Sequence, residues 1–171
     1  MDIVARWSGS SHDQTIFSAS NLKMRFDAGY FGKYIMVGDS GYANTMYLAT
    51  PYTINHPGFA ADPVKRRYQA ALIRIRNVVE RQYGVLKRRF PVLRHGLNVA
   101  LPTAQKIIIA AAILHNICIE EGAIENVDEE MVDPIETQPN ELYDEVLPRG
   151  RQSARDEILQ YFQIEERNNR T

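Results

Sequence analysis

The chain has 171 residues, 44% of them hydrophobic, and a formal net charge of −1, a size that supports one domain with its own core. Its single cysteine, Cys118, excludes an internal disulfide and a cysteine-built zinc cage, and fits a reducing intracellular compartment. Met1-Asp2 opens without a basic and then apolar leader, and the longest apolar run, Ile107 to Leu114, falls short of the about 18 residues of a membrane span.

Asp2 to Trp7 alternates partly, through Ile3, Ala5 and Trp7, which predicts a strand before the Ser8-Gly9-Ser10-Ser11 turn. Asp13 is placed to cap one helix running through Ile16, Phe17, Leu22 and Phe26, with Gln14 in its first turn and Gly29 closing it. Tyr34 to Val37 is an apolar run cut off by Gly38-Asp39-Ser40-Gly41, and reads as a buried strand entering a tight turn. Prolines at 51, 57 and 63 with Gly58 mark an irregular loop.

Leu72, Ile75, Val79, Tyr83, Leu86 and Phe90 recur every three or four residues. They predict a helix from Val64 to Phe90 with one apolar stripe, ended by Pro91. A second helix, Ala104 to about Ile119, is apolar around most of its circumference and is expected to be the most buried element. Residues 120–146 carry 11 acidic side chains and no basic one, the composition of a flexible linker. Ser153 and Asp156 then make a capping pair for a short last helix with Ile158, Leu159 and Phe162 on its apolar side. The expected organisation is a domain over 1–119, an acidic flexible linker over 120–150, and a short helix with a tail over 151–171.

Charge divides along the same line. Residues 1–118 hold 15 Lys/Arg against 6 Asp/Glu, a net of +9, while residues 119–171 hold 5 against 15, a net of −10. A basic body beside an acidic segment points either to a polyanion-binding surface with a built-in competitor or to a solvated surface with a disordered tail.

Two carboxylates stand out by position. Asp39 sits where the buried strand meets the glycine turn, and in open sheets ligands collect at the carboxyl ends of strands. Glu80 lies mid-helix among Arg74, Arg76, Arg81, Lys87, Arg88 and Arg89; it reads as an ion-pair partner of Arg76, four residues back, or as a metal ligand. Arg76 and Lys87 share Glu80's side of the helix, and with Arg81 and Arg88 they are candidates for the phosphate backbone of a nucleic acid, or simply a solvated helix surface. His115 reads as a core histidine before a metal ligand, and Cys118 as inert packing.

Four blocks in order carry a family resemblance. They are Ala5-Arg6-Trp7-Ser8-Gly9-Ser10-Ser11-His12-Asp13, Val37-Gly38-Asp39-Ser40-Gly41-Tyr42, the run Arg76 to Phe90 around Val79-Glu80-Arg81-Gln82-Tyr83-Gly84, and Ala111-Ala112-Ile113-Leu114-His115-Asn116-Ile117-Cys118. Together they resemble transposase-derived nucleases of the Harbinger class over about residues 2 to 120. The resemblance implies a DDE-type RNase H-like α/β fold with an Asp-Asp-Glu site. Asp39 corresponds to the second aspartate and Glu80 to the glutamate, both as catalytic metal ligands for Mg²⁺ or Mn²⁺. His12-Asp13 belongs to a family motif, although the residues themselves support only a turn and a helix start.

Hard divalent cations want such oxygen ligands, and paired cations assist phosphodiester cleavage or strand transfer. The resemblance further implies DNA as substrate, a separate Myb-like DNA-binding partner, no membrane, and a location in the nucleus (and cytoplasm). The first aspartate of the pattern precedes the block that begins at Asp2, so the expectation is a partial RNase H-like domain lacking its first strands and one of three carboxylates. The rival expectation is a domesticated, non-catalytic DNA- or protein-binding module.

Overall fold

The computed structural model describes residues 3–7, 11–53, 56, 58–123, 147 and 150–168. They form two compact units, Met1–Ser11 with Asn77–Ile135, and His12–Arg76 with Glu136–Thr171. Helices and a small parallel sheet make up the described elements, a mixed α/β architecture.

In the second unit, α1 (Asp13–Ser18) and α2 (Asn21–Asp27) replace the single helix expected there. The break lies at Ser20, whose Oγ accepts from Lys23 N at 3.1 Å and donates to Phe17 O at 2.7 Å. A serine that satisfies backbone groups on both sides competes with the continuous helical ladder and becomes a cap instead. The N-cap of α1 is His12, with Asp13 in the first turn, so Asp13 is not the capping residue itself. Gly29, at φ +71°, closes α2 as expected.

β1 (Met36–Val37) sits inside the expected apolar run and enters the Gly38-Asp39-Ser40-Gly41 turn. It pairs in parallel with β2 (Leu48–Ala49), Met36 opposite Leu48 and Val37 opposite Ala49. Alternation along β1 sends neighbouring residues to opposite faces. Met36 packs with Phe17, Tyr47 and Leu48 beside Leu22, Phe26 and Tyr42. Val37 packs instead with Tyr52, Tyr68 and Leu72 beside Phe59, Ile158, Leu159 and Phe162. The small sheet thus separates a cluster built with α1 and α2 from one built with two later helices.

Those are α3 (Pro63–Arg89) and α5 (Ala154–Asn168). Asp62 Oδ1 accepts from Val64 N at 2.9 Å and starts α3, with Pro63 in the first position where its missing N–H costs nothing. The apolar stripe expected on α3 is corrected. Leu72 is buried, but Ile75, Val79 and Tyr83 are more than half exposed, and the buried row is Val64, Tyr68 and Leu72, with Val85 further on. Periodicity marks which residues share a face, but burial requires a neighbouring surface, and α5 supplies one only along the first half.

α5 begins as expected: Asp156 N donates to Ser153 Oγ at 3.1 Å, and that hydroxyl donates to Asp156 Oδ2 at 2.8 Å. Its Ile158, Leu159 and Phe162 complete the Tyr68 cluster, and Arg67 pairs with Glu165 at 2.7 Å while lying over the Phe162 ring. Ala154 N also donates to Thr45 O at 2.7 Å, beside β2. Most of the acidic stretch over 120–150 lies outside the described residues.

In the first unit, Ile3–Trp7 carries no strand, since β1 and β2 form the one ladder among the described residues; Asp2 lies outside them. A 3-10 turn, Pro91–Leu93, follows α3 at the proline expected to end it. α4 (Leu101–Glu120) covers the second expected helix, but its burial is corrected. Ala111 and His115 are buried, whereas Ile109, Ile113, Leu114, Ile117 and Ile119 are 40–51% exposed, because no described element covers most of its circumference. By length and composition alone α4 also reaches the size of a membrane-crossing helix, a test that core helices pass equally.

One polar knot in the second unit gives a pH prediction. Tyr47 OH donates to Asp27 Oδ1 at 2.6 Å and Lys23 Nζ to Asp27 Oδ2 at 2.8 Å. Burial, then the bond to Asp27, pushes the Tyr47 phenol up to about 12, and burial pushes the Tyr68 phenol up as well. Because the folded values lie above the ordinary 10.0, this stability is fully present below that value and is lost as pH rises through the folded values. Chemical denaturation should show a steady stability in the neutral range and a fall above about pH 10, which Tyr47→Phe makes shallower. A curve that is flat to about pH 12 would contradict the phenol placement.

Candidate functional site

Asp39 is positioned by the end of β1 and by the turn that follows. Its Oδ1 accepts from Gly41 N at 2.8 Å, an Asx turn that fixes the carboxylate over the loop. Tyr42 N donates to Asp39 O at 3.3 Å, and the Tyr42 ring meets Phe17 edge-on at 5.8 Å. Gln14 Oε1, from α1, accepts from Ala43 N at 2.8 Å and ties the far side of the loop to the helix layer. The loop is therefore held at both ends by the core that the sheet organises.

Position 41 is closely flanked by side-chain oxygens. A Cβ there would stand 3.0 Å from Asp39 Oδ1 and 3.8 Å from Asp13 Oδ2. Asp13 and Asp39 thus flank the same empty position, a juxtaposition that the spacing of the two residues in the chain gives no sign of. Asp39 Oδ2 faces Arg76 Nη2 at 3.9 Å, with side-chain exposures of 37% and 22%. That separation is beyond hydrogen-bond length, so the guanidinium supplies a field and leaves the oxygen's lone pairs available. Asp39 offers one hard-oxygen donor of the kind divalent cations take, and among the described residues no group of three or more His, Cys, Asp or Glu comes together.

Glu80 and the other basic candidates belong to the other unit. Glu80 is half-buried, and its Oε2 is withdrawn from solvent. Arg81 and Lys87 are exposed and Arg88 is half-buried. Arg89 is occupied in the fold, with its guanidinium 3.2 Å from His115 Nδ1 and donating to Ala123 O at 2.7 Å. Since arginine has only donors, Nδ1 of His115 accepts, which leaves the proton on Nε2. His115 is buried as the sequence reading expected of a core histidine, and Cys118 is half-buried.

The profile of the DDE superfamily endonucleases matches residues 1–116. The chain belongs to that family. It is also similar to curated proteins named "Putative nuclease HARBI1". The human protein is 29% identical over 147 residues, 84% of this chain and 40% of the relative. The cattle protein gives the same identity and coverage, and the rat protein is 30% identical over 150 residues, 86% of this chain and 41% of the relative. The chain spans about two fifths of the length of the relatives it matches. No solved structure matches it. The Harbinger-class resemblance read from the four sequence blocks therefore stands, and β1, its turn and the first part of α4 all lie within the matched region of this DDE superfamily chain.

Proposed function

We propose that the chain is the partial RNase H-like portion of a divalent-metal-dependent DNA endonuclease of the Harbinger-derived class, with Asp39 and Glu80 as its metal-binding carboxylates. The observation that carries this reading is the Asp39 turn. A carboxylate at the carboxyl end of a strand, fixed by an Asx bond on a loop that Gln14 and Tyr42 tie to the core, has the preorganisation that a catalytic ligand needs. Family membership supports the reaction class. When bound, Mg²⁺ or Mn²⁺ would polarise the phosphodiester and lower the pKa of the attacking water. Arg76, with its guanidinium 3.9 Å from Asp39 Oδ2, would place a positive charge beside the carboxylate. Arg81, Lys87 and Arg88 would meet the DNA backbone, contributing affinity without sequence readout, so that a separate Myb-like protein would supply targeting. Nuclear location accompanies this reading.

Calorimetry of Mn²⁺ binding to the full chain, wild type against Asp39→Asn and Glu80→Gln, tests it. Both variants should bind at least about tenfold more weakly, equivalent to roughly 1.4 kcal/mol, while keeping the wild-type circular dichroism spectrum. Unchanged binding in either folded variant removes that residue from the site. A folded wild-type chain that takes up no metal yet binds DNA would make it a binding module.

A further inference from the structure

The turn after α2 carries a surface that the metal reading does not use. The chain reverses there through two left-handed glycines, Gly29 at φ +71° and Gly32 at φ +59°. Tyr30 N donates to Arg25 O at 3.0 Å, Gly32 N to Gly29 O at 3.0 Å, and Tyr34 N to Phe31 O at 3.2 Å, so the segment is a bonded turn. Phe31 anchors it inward, its ring 4.3 Å from Phe26, which in turn stacks at 4.9 Å on Tyr47 of the core.

Tyr30 and Tyr34 do the opposite, at 70% and 74% exposure. Two rings offered to water on a rigid turn leave a large apolar area unburied. The Arg25 guanidinium lies 4.1 Å over the Tyr30 ring and 4.7 Å over Phe31. Stacking uses its planar face and leaves the N–H edge free to receive a phosphate. Lys33 is exposed between the two tyrosines. The nearby carboxylate, Asp27, already accepts from Lys23 and Tyr47, which leaves Arg25 and Lys33 to set the charge of the turn.

We propose that this turn is a stacking platform for unpaired bases of a DNA strand, with Tyr30 and Tyr34 taking the bases and Arg25 and Lys33 the intervening phosphates. Exposed aromatic rings flanked by cations recognise any base by its π-face and any strand by its backbone, whereas in a duplex the base faces are already stacked. The identity of the polyanion as DNA rests on the nuclease reading; the stacking chemistry does not.

The test is fluorescence anisotropy of a labelled oligothymidine strand, and of its duplex with oligoadenine, against the full chain with EDTA present so that no metal enters. The single strand should bind more tightly than the duplex. Tyr30→Ala and Tyr34→Ala should each weaken single-strand binding by about 5- to 100-fold and leave duplex binding nearly unchanged. Tyr30→Phe and Tyr34→Phe, which keep the ring, should retain wild-type affinity. Arg25→Ala and Lys33→Ala should each lower the salt slope by about one. Equal binding of strand and duplex, or alanine variants that bind as wild type, would overturn the proposal. Because the Mn²⁺ titration is independent of these residues, loss of the platform with metal binding intact leaves the nuclease reading standing. Loss of metal binding with stacking intact does the reverse.

Discussion

Tyr68→Ala is expected to lower the unfolding free energy of its unit by about 3–5 kcal/mol, the range for emptying a fully buried aromatic site. Tyr68 is wholly buried and lies where β1, α3 and α5 meet, with its ring 5.7 Å from Tyr52 and its hydroxyl donating to Thr50 O at 2.8 Å. Tyr68→Phe keeps the ring and should cost about 1 kcal/mol, the net worth of one hydrogen bond, since Thr50 O still receives Arg155 Nε at 3.3 Å. Urea denaturation measures both. A domain is typically stable by about 5–15 kcal/mol, so the alanine variant should be marginal. If it stays within about 1 kcal/mol of wild type, the cluster cannot be packed as described.

The second large effect belongs to Arg155, a cation that is only 5% exposed. Its Nη2 donates to Thr50 Oγ1 at 3.0 Å, and the guanidinium lies 4.7 Å over the Tyr52 ring, so one side chain joins the start of α5 to the chain leaving β2. Arg155→Ala removes the stem, the stack and the charged bonds together, and should cost about 2–4 kcal/mol. Arg155→Met should cost about half as much, because it refills the space without a charge to desolvate. Arg155→Lys should resemble alanine more than methionine, since an ammonium cannot reproduce the planar fork and stack. Denaturation midpoints should fall in the order wild type, Met, Lys, Ala. A lysine variant equal to wild type would reduce the role of Arg155 to its charge.

The parts legible in the sequence were those governed by local chemistry. Gly29 closing α2, the apolar run entering the Asp39 turn, Pro91 ending α3 and the Ser153–Asp156 cap all follow from neighbours a few residues apart. The errors came where a distant surface decides. β2 is two residues long, Leu48–Ala49, and leaves no alternation to detect. Ile75, Val79 and Tyr83 have the right period but no described cover, and α4 is apolar without being enclosed. Ser20 splits the first helix because its hydroxyl bonds in both directions, a choice that composition does not reveal.

At the candidate site, Asp39 was readable as a strand-end carboxylate. Its setting was not. Gln14 reaches Ala43 across 29 residues of chain, and Asp13 flanks the Gly41 position only because α1 folds back beside the turn. The Tyr30 and Tyr34 turn was hidden for the same reason, since exposure is a property of the packed molecule and not of the residue type.

The closure of the Tyr68 cluster by α5 has a consequence for how the protein is made. Leu72 is synthesised roughly 80 residues before Arg155 and Ile158, so at about 5–20 residues per second the ribosome leaves that apolar face without its lid for several seconds. Throughout that interval Tyr52, Tyr68 and Leu72 lack the α5 side chains that cover them in the folded protein, and such transiently exposed apolar surface is the kind that chaperones exist to shield. Slower translation through the Asp- and Glu-rich stretch that precedes α5 would prolong the exposure, and faster translation would shorten it.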